Sequence, residues 1–591
     1  MIGVYSIEEN RFSIKAGGPA GKGIFTIGEL FAKTLHSLGL WTIVTKDYPS
    51  IIKGGHNTIT VRAEPVKIYS DIKLIDLIIA LDKESILRYS NNLSQGGAIL
   101  ADFKSLKMDS EVVRKDIRII DMDVAGLTKK AGGPRYENTV LLGAACALFQ
   151  IPKDAPMKII ERTFLRKGKD VVDNNHNAFT LGYDEMNNLL NNNPYKIRVS
   201  PIPQDNKRIL VTGNDAASIA AVKAGVKFVA EYPMTPSSSF LHFMASKEES
   251  HRIVVKQTED EIAAINMIIG ASIGGVRVMT ATSGGGFALM SEGLGFGALC
   301  ETPLVIFESM RTGPSTGMPT YTEQADLDFV LHAGQGEFPR IIVAPGDVGE
   351  SFEESFRAFN LAEQYQVPVI VLLDKHISDT MISWERFNTN LKIDRGFLLK
   401  EEEINNYIDD KGKFLRHKIT DSGISPRSRP GQKLGMFVAS SYEHDETGYT
   451  TEEPSMRNLQ VEKRFRKLDH ISDDIIRPKF YGAKADDADF LIVSWGSNKG
   501  AILEAMKFFD KENIKARFMH ILYPMPIDSE RIRCELEKAK RSIIVEVNYT
   551  GQMRKLIRQE TGILIEKAVL KYDGRPYTPW ELRTMILEEL R

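Results

Sequence analysis

Cysteine is scarce in this chain: three in 591 residues, Cys146, Cys300 and Cys534, with no CxxC pair among them. That excludes a disulfide framework. A [4Fe–4S] cluster takes four thiolates, so the cysteines of this chain alone cannot hold one. Long apolar runs are missing as well. No stretch approaches the ~20 residues that a membrane helix needs. The opening MIGVYSIEENRF has neither the basic nor the apolar region of a signal peptide, and a cytoplasmic protein is expected. Excess charge of one sign is also absent. The 76 basic and 78 acidic residues leave a net charge of -2, which removes any electrostatic case for nucleic acid or an anionic membrane. Two phosphate-binding fingerprints fail too. The GGPAGKG turn at Gly17–Gly23 has the wrong spacing for GxxxxGK[ST] and for GxGxxG, which disfavours an NAD-dependent dehydrogenase.

What is present is ordinary globular material, 42% hydrophobic and 26% charged, long enough for about three to five domains. Short β-branched runs alternate with amphipathic stretches throughout. That grammar predicts a multidomain α/β fold with central parallel strands. Residues 1–193 form the first expected domain. The proline-bearing polar stretch 194–208 reads as a linker. A second domain is expected from ILVTG at 209 to 390. An irregular, charged connecting segment over 391–487 reads as surface excursions. A third α/β domain spans 488–591.

Several loops carry residues suited to chemistry. Glycines in the first turn permit a tight entry into a helix whose free N–H groups can face a phosphate. Further on, His56 follows Tyr48-Pro49-Ser50 and a Gly-Gly pair. In the second domain, Tyr232-Pro233-Met234-Thr235-Pro236 fixes a stiff turn, and Ser237 to Ser239 can cap a helix. Glu259, Asp260 and Glu261 precede a small-residue helix, with Gly270 nine residues beyond Glu261. Thr282-Ser283-Gly284-Gly285-Gly286 follows a strand. Arg311 sits in a Gly/Pro loop, and a guanidinium suits a carboxylate. Glu443-His444-Asp445-Glu446 reads as a structural cluster and not a metal site.

Taken together, these strings resemble the 2-oxoacid:ferredoxin oxidoreductases. GGPAGKG followed by YPSIIKGGHNT is similar to the family's gamma module. YPMTPSSS, QTEDE, TSGGGF, RTGPSTGMPTYTEQADL, HAGQGEFPR and the late WGS, LYPMP and EVNYTGQ are similar to its alpha module. The family carries TSGPGF where this chain has Gly285 in place of proline. The resemblance implies a gamma domain, a thiamine-pyrimidine domain and a transketolase C-terminal-like domain. It implies thiamine-diphosphate-dependent conversion of a 2-oxoacid and CoA to acyl-CoA, with electrons passed to ferredoxin.

The implied roles fall on named residues. Glu261, with Glu259 as the alternative, would touch the aminopyrimidine and tune its proton. Tyr232, Pro233, Ser283 and Gly284 would line the cofactor. Thr235, Ser237 and Arg311 would meet the substrate, and Gly18, Gly21 and Lys22 would meet CoA. No GDG with a downstream Asn is present to hold Mg2+ and a diphosphate. A beta subunit is therefore expected to supply these and the [4Fe–4S] cluster, in a dimer of heterodimers. A non-catalytic scaffold subunit of such a complex is the alternative.

Overall fold

The computed structural model describes residues 8–50, 55–108, 114–191, 193–203 and 207–591. The chain forms two compact units. The first comprises Met1–Val211, Thr380–Arg386 and Thr578–Trp580, and the second Thr212–Asp379, Phe387–Tyr577 and Glu581–Arg591.

The first unit is built on an eight-stranded mixed sheet. Its strands are β1 (Phe12–Pro19), β2 (Trp41–Asp47), β3 (His56–Glu64), β4 (Ile75–Ala80), β5 (Leu93–Ala101), β6 (Arg118–Asp121) and β7 (Arg208–Val211), together with Met381–Glu385. Across the sheet they run β6-β5-β4-β1-β3-β2, then Met381–Glu385, then β7. Alternation places Phe12, Ile14 and Ala16 in the core. Helix α1 (Ile24–Ser37) follows the glycine turn, where Gly21 and Gly23 take positive φ of 88° and 67°. Helices α2 (Glu137–Leu148) and α3 (Lys169–Leu190) pack at backbone contact. A Cβ on Gly143 would lie 2.1 Å from the Phe179 carbonyl, and one on Gly182 would lie 1.9 Å from that of Val140.

Two expected boundaries move. Ile209–Val211 does not open the second domain: β7 pairs antiparallel with Met381–Glu385, which in turn pairs with β2. Nor is the stretch after 193 a free linker. Ile197–Arg198 pairs with Glu8–Glu9, and Tyr195, Ile197 and Val199 are buried. Their period of two is a strand signal hidden among polar residues and prolines. Residues 204–206 of the expected linker lie outside the described residues.

The second unit contains a six-stranded, wholly parallel sheet: β8 (Val226–Glu231), β9 (Val254–Gln257), β10 (Arg277–Thr282), β11 (Leu304–Met310), β12 (Ile341–Val343) and β13 (Pro368–Asp374). Its order is β9-β8-β10-β11-β13-β12. Connections leave β8 toward one edge and β10 toward the other, so the chain reverses direction between these two neighbours.

A five-stranded sheet follows, ordered β14-β16-β15-β17-β18, from β14 (Lys479–Gly482), β15 (Phe490–Trp495), β16 (Ala516–Ile521), β17 (Ser542–Glu546) and β18 (Lys567–Leu570). Only β14 runs antiparallel to its neighbour. The expected third domain is not a separate body. Val493, Met519 and Ile544 share one core with Ile306, Ile342 and Leu372.

The charged segment 391–487 is anchored by buried ions and does not simply skirt the surface. Glu301 is fully buried. It receives Lys463 Nζ at 2.6 Å, a contact from Lys467, and His417 Nδ1 at 2.9 Å. His444 is buried with its ring 3.9 Å from that of His417, and Arg464 grips Glu443 through two hydrogen bonds of 3.0 and 2.8 Å. Composition signalled charge but could not signal pairing over more than a hundred residues. No helix among the described residues is long and apolar enough to cross a membrane.

Glu301 has two buried lysines to neutralise, and removing one partner of a buried pair strands the other. Glu301→Gln is expected to destabilise the fold by about 3–5 kcal/mol, read as a lowered midpoint in denaturant unfolding.

Candidate active site

The motifs that carry the expected site residues of the second unit emerge at the carboxyl ends of parallel strands. β8 ends at Glu231 and leads into Tyr232–Pro236. β10 ends at Thr282 and leads into Ser283 and helix α5 (Gly284–Leu289). β11 ends at Met310, next to Arg311. β9 ends at Gln257, shortly before helix α4 (Glu261–Ile273). In open α/β sheets the crevice outside the strand ends, where the order reverses, is where ligands bind. Here that crevice lies between β8 and β10.

Glu261 is the first residue of α4. Asp260 caps the helix, its side chain accepting from Ala263 N at 2.8 Å. That cap turns Glu261 inward, leaving it 2% exposed, with Oε1 buried and unpartnered. The third glycine of TSGGG makes the room. A Cβ on Gly286 would lie 2.4 Å from Glu261 Oε1 and 2.1 Å from Thr282 Oγ1. Burial pushes the Glu261 carboxyl above its ordinary pKa; Asp260 adds to this, while a backbone hydrogen bond and Arg311 oppose it. Glu259 is exposed. Gly285 is exposed, with no atom within 4 Å of its would-be Cβ. Gly270 likewise faces open space.

Opposite stands the Tyr232–Pro236 turn. Its Thr235–Pro236 bond is cis. Arg311 Nη1 donates to the Thr235 carbonyl at 2.8 Å, and Asn214 Nδ2 donates to that of Pro236 at 2.9 Å. Two of the three expected substrate residues, Thr235 and Arg311, are thus brought together. Ser237 is not among them by its donor: it is fully buried, and its hydroxyl donates to Met234 O at 2.7 Å. This bond closes the turn ahead of the helix. Tyr232 is 37% exposed, and Pro233 is half-buried. Ser283 is fully buried with an unpartnered hydroxyl.

Four further polar residues around this crevice were given no role on the sequence. Glu231 and Glu308 are fully buried with both carboxylate oxygens unpartnered. Burial pushes each far above the usual carboxylate range, with Asp326 and Asp374 adding to Glu308. For Glu308 the hint was a charge inside the LVIFESM run, while Gln324 and Asp326 stood within the RTGPSTGMPTYTEQADL string. Asp326 lies over the glycine turn, its Oδ2 2.4 Å from a would-be Gly284 Cβ. Gln324 ties the Arg311–Asp326 loop to the later sheet: Nε2 donates to Trp495 O at 3.1 Å, while Oε1 accepts from Asn498 Nδ2 at 2.7 Å and from Val547 N at 3.0 Å.

In the first unit, Gly18 lies in β1 and Gly21 in the turn. Lys22 Nζ pairs with Glu137 Oε2 at 3.0 Å. His56 Nδ1 meets Asp82 Oδ2 at 3.1 Å. Residues 51–54 of the YPSIIKGGHNT string lie outside the described residues.

Two family models match the chain. "Pyruvate ferredoxin/flavodoxin oxidoreductase" covers residues 13–185, and "Pyruvate flavodoxin/ferredoxin oxidoreductase, thiamine diP-bdg" covers 219–463. The alpha subunit of 2-oxoacid:ferredoxin oxidoreductase 2 from Aeropyrum pernix is 32% identical, over 96% of each chain. The 2-oxoglutarate synthase subunit KorA of Methanothermobacter thermautotrophicus is 32% identical over 64% of this chain and 98% of its own. A solved structure, the 2-oxoglutarate:ferredoxin oxidoreductase of Magnetococcus marinus with 2-oxoglutarate, coenzyme A and succinyl-CoA bound, superposes with a TM-score of 0.89. It is 30% identical, over 99% of this chain and 100% of that one.

The glycine turn makes a paired prediction. Gly286→Ala forces a methyl group into the Glu261 carboxyl and is expected to lower stability by about 1–3 kcal/mol. Gly285→Ala, in open helical space, should change it by less than about 1 kcal/mol, on the stabilising side. Thermal melting of the two variants side by side checks both.

Proposed function

Since the chain belongs to the 2-oxoacid:ferredoxin oxidoreductase family, we propose that the β8–β10 crevice is its thiamine half-site, with Glu261 facing the aminopyrimidine. The family oxidises a 2-oxoacid with CoA and two oxidised ferredoxins to acyl-CoA, CO2 and two reduced ferredoxins. The observation that carries the site reading is the buried, unpartnered Oε1 of Glu261 at the strand ends.

The residues present fit the cofactor. An orphaned carboxyl and the orphaned Ser283 hydroxyl both lack partners that a polar heterocycle provides. Bound thiamine diphosphate supplies a carbon nucleophile and electron sink for breaking the bond between a 2-oxo carbon and its carboxylate. Glu261, whose carboxyl burial pushes toward its protonated form, holds a proton there for sharing with the ring. Thr282 and Gly286 keep that carboxyl in one orientation. Arg311, braced on the Thr235 carbonyl, anchors the substrate carboxylate, with the Thr235 side chain beside it. Tyr232, Pro233, Ser283 and Gly284 form the walls.

The remaining parts come from a beta subunit: the Mg2+ and diphosphate grip, the [4Fe–4S] cluster and the ferredoxin contact. Two observations support that division. Cys146 and Cys300 are buried, and burial pushes both thiols up, Cys300 to about 12, far from the thiolate that iron binds. Near the crevice, Tyr232, Ile262, Met267 and Leu289 are exposed, an apolar rim that a second polypeptide covers. The assembly is then a dimer of heterodimers. CoA rests against the first unit's glycine turn at Gly18, Gly21 and Lys22. A non-catalytic scaffold would have no need of a glycine at 286 to make room for a buried, unpartnered carboxyl.

In the complex assembled with its partner, Glu261→Gln is expected to cut 2-oxoacid-dependent viologen reduction by about 10²–10⁴-fold, and Glu259→Gln by less than tenfold. Equal losses from both, or none from the first, would remove Glu261 from the mechanism. The chain without its partner is expected to show no viologen reduction.

A further inference from the structure

The first unit has a reversal of strand order of its own. β1 and β4 are parallel neighbours, with Gly17 opposite Ala80. β1 continues into α1, whose Ile24, Ile27 and Phe31 share a core with Ile14 and Ala16. β4 continues into the short helix Lys83–Tyr89 on the opposite face. There Ile86 shares a core with Ile78 and Ala80, and a Cβ on Gly17 would lie 2.5 Å from Ser85 Oγ. From these neighbours the chain runs to β2 on one side of the sheet and to β5 on the other. The crevice beyond Pro19 and Ala80 is therefore a second switch point of the kind where ligands bind. Its two loops are tied together, Leu81 N donating to Gly17 O at 2.9 Å.

His56 stands at the mouth of this crevice. It is the first residue of β3, opposite Pro19, the last of β1, and Ala20 N donates to the preceding Gly55 carbonyl at 3.1 Å. Its side chain is only 5% exposed. Nδ1 meets Asp82 Oδ2 at 3.1 Å, with Glu84 Oε2 at 4.0 Å. The other oxygen of Asp82 is committed to Ser85, accepting from its N at 2.8 Å and its Oγ at 2.6 Å. Tyr89 stacks on the imidazole with centroids 5.9 Å apart. Nε2 is left buried without a partner. A carboxylate only accepts, so Nδ1 carries the proton, and the neutral ring presents Nε2 as an acceptor. At the other end of the glycine turn, a Cβ on Gly23 would lie 2.1 Å from Asn138 Nδ2. Asn138 Oδ1 is a second buried acceptor without a partner.

We propose that this crevice grips coenzyme A by its pantetheine arm, with His56 Nε2 and Asn138 Oδ1 accepting hydrogen bonds from the arm's hydroxyl and amide groups. This rests on the reading that places CoA at the glycine turn. The two orphaned atoms decide which part of the coenzyme they meet. Phosphate oxygens accept as well, so the diphosphate can satisfy neither. The pantetheine arm begins beside the diphosphate and supplies donors. The diphosphate itself suits the start of α1, where Gly23 brings no capping side chain and the first turn holds no acid. Asp82 acts through His56: by taking the Nδ1 proton it sets which nitrogen faces the ligand.

The test uses the assembled complex and measures kcat with KM for CoA and for the 2-oxoacid. His56→Ala is expected to raise KM for CoA about three- to tenfold, the loss of one hydrogen bond, with kcat and KM for the 2-oxoacid unchanged. Asn138→Ala gives the same readout if the first variant folds poorly. Asp82→Asn retains a capping oxygen for the helix but can offer Nδ1 an N–H, which turns Nε2 into a donor. It is expected to raise KM for CoA as His56→Ala does, although His56 is still there; His56 as mere packing predicts no such rise. Inhibition by two fragments locates the contact. In His56→Ala, 4′-phosphopantetheine should weaken by the same factor, while adenosine 3′,5′-bisphosphate, which lacks the arm, should not change. An unchanged KM for CoA in both His56→Ala and Asn138→Ala, or weakening of the bisphosphate alone, overturns the proposal. Gly21→Val, which strains the turn at its positive φ, separates the two ideas. No effect on KM for CoA there removes the coenzyme from the turn, whereas a raised KM there beside silent His56 and Asn138 variants removes only the grip on the arm.

Discussion

A carboxyl taken out of water without a partner favours its protonated state and is destabilising wherever it has no task. At Glu261 the local structure is arranged around this. Asp260 spends its own side chain on the helix cap, which frees Glu261 to turn inward. Gly286 leaves out the one methyl group that would occupy the carboxyl's place. The reversal of strand order between β8 and β10 opens the crevice in front of it. A side chain at 286 would collide with that carboxyl.

The same logic extends outward. Glu231 and Glu308 are two further buried acids without partners, and burial pushes both far above the usual carboxylate range. The crevice reads as acidic in sequence, yet burial works against negative charge on all three of these acids. Elsewhere the chain handles buried charge in the opposite way. Glu301 is compensated by lysines, and Glu363 by Arg277 and Arg395, at 2.8 and 2.7 Å, and by Arg427. Those networks secure the long 391–487 excursion. Paired acids build the fold, and unpaired acids line the crevice.

Local signals were legible in the sequence and long-range ones were not. The α/β class, the Tyr232–Pro236 turn, the helix beginning at Glu261 and the glycine turn before α5 each depend on residues within a few positions of one another. Spacing from Gly270 favoured Glu261 over Glu259, and the cap at Asp260 shows which of the acids faces inward. Strand pairing is another matter. Nothing local in Arg208–Val211 or Met381–Glu385 says that both join a sheet begun at Phe12. The 391–487 segment looked like surface because its charges were visible and their partners were not. Ser237 was assigned to substrate on its neighbourhood, yet its hydroxyl serves the turn. Asp326 stood inside a recognised string and went unremarked, since only the structure shows that it declines to cap its helix.

The most direct measurement of the central claim is a structure of the assembled complex with thiamine diphosphate bound. The account predicts a Glu261 carboxylate oxygen within hydrogen-bonding distance, about 2.6–3.2 Å, of the aminopyrimidine ring. An aminopyrimidine bound away from the β8–β10 crevice, or one meeting no oxygen of Glu261, would contradict it.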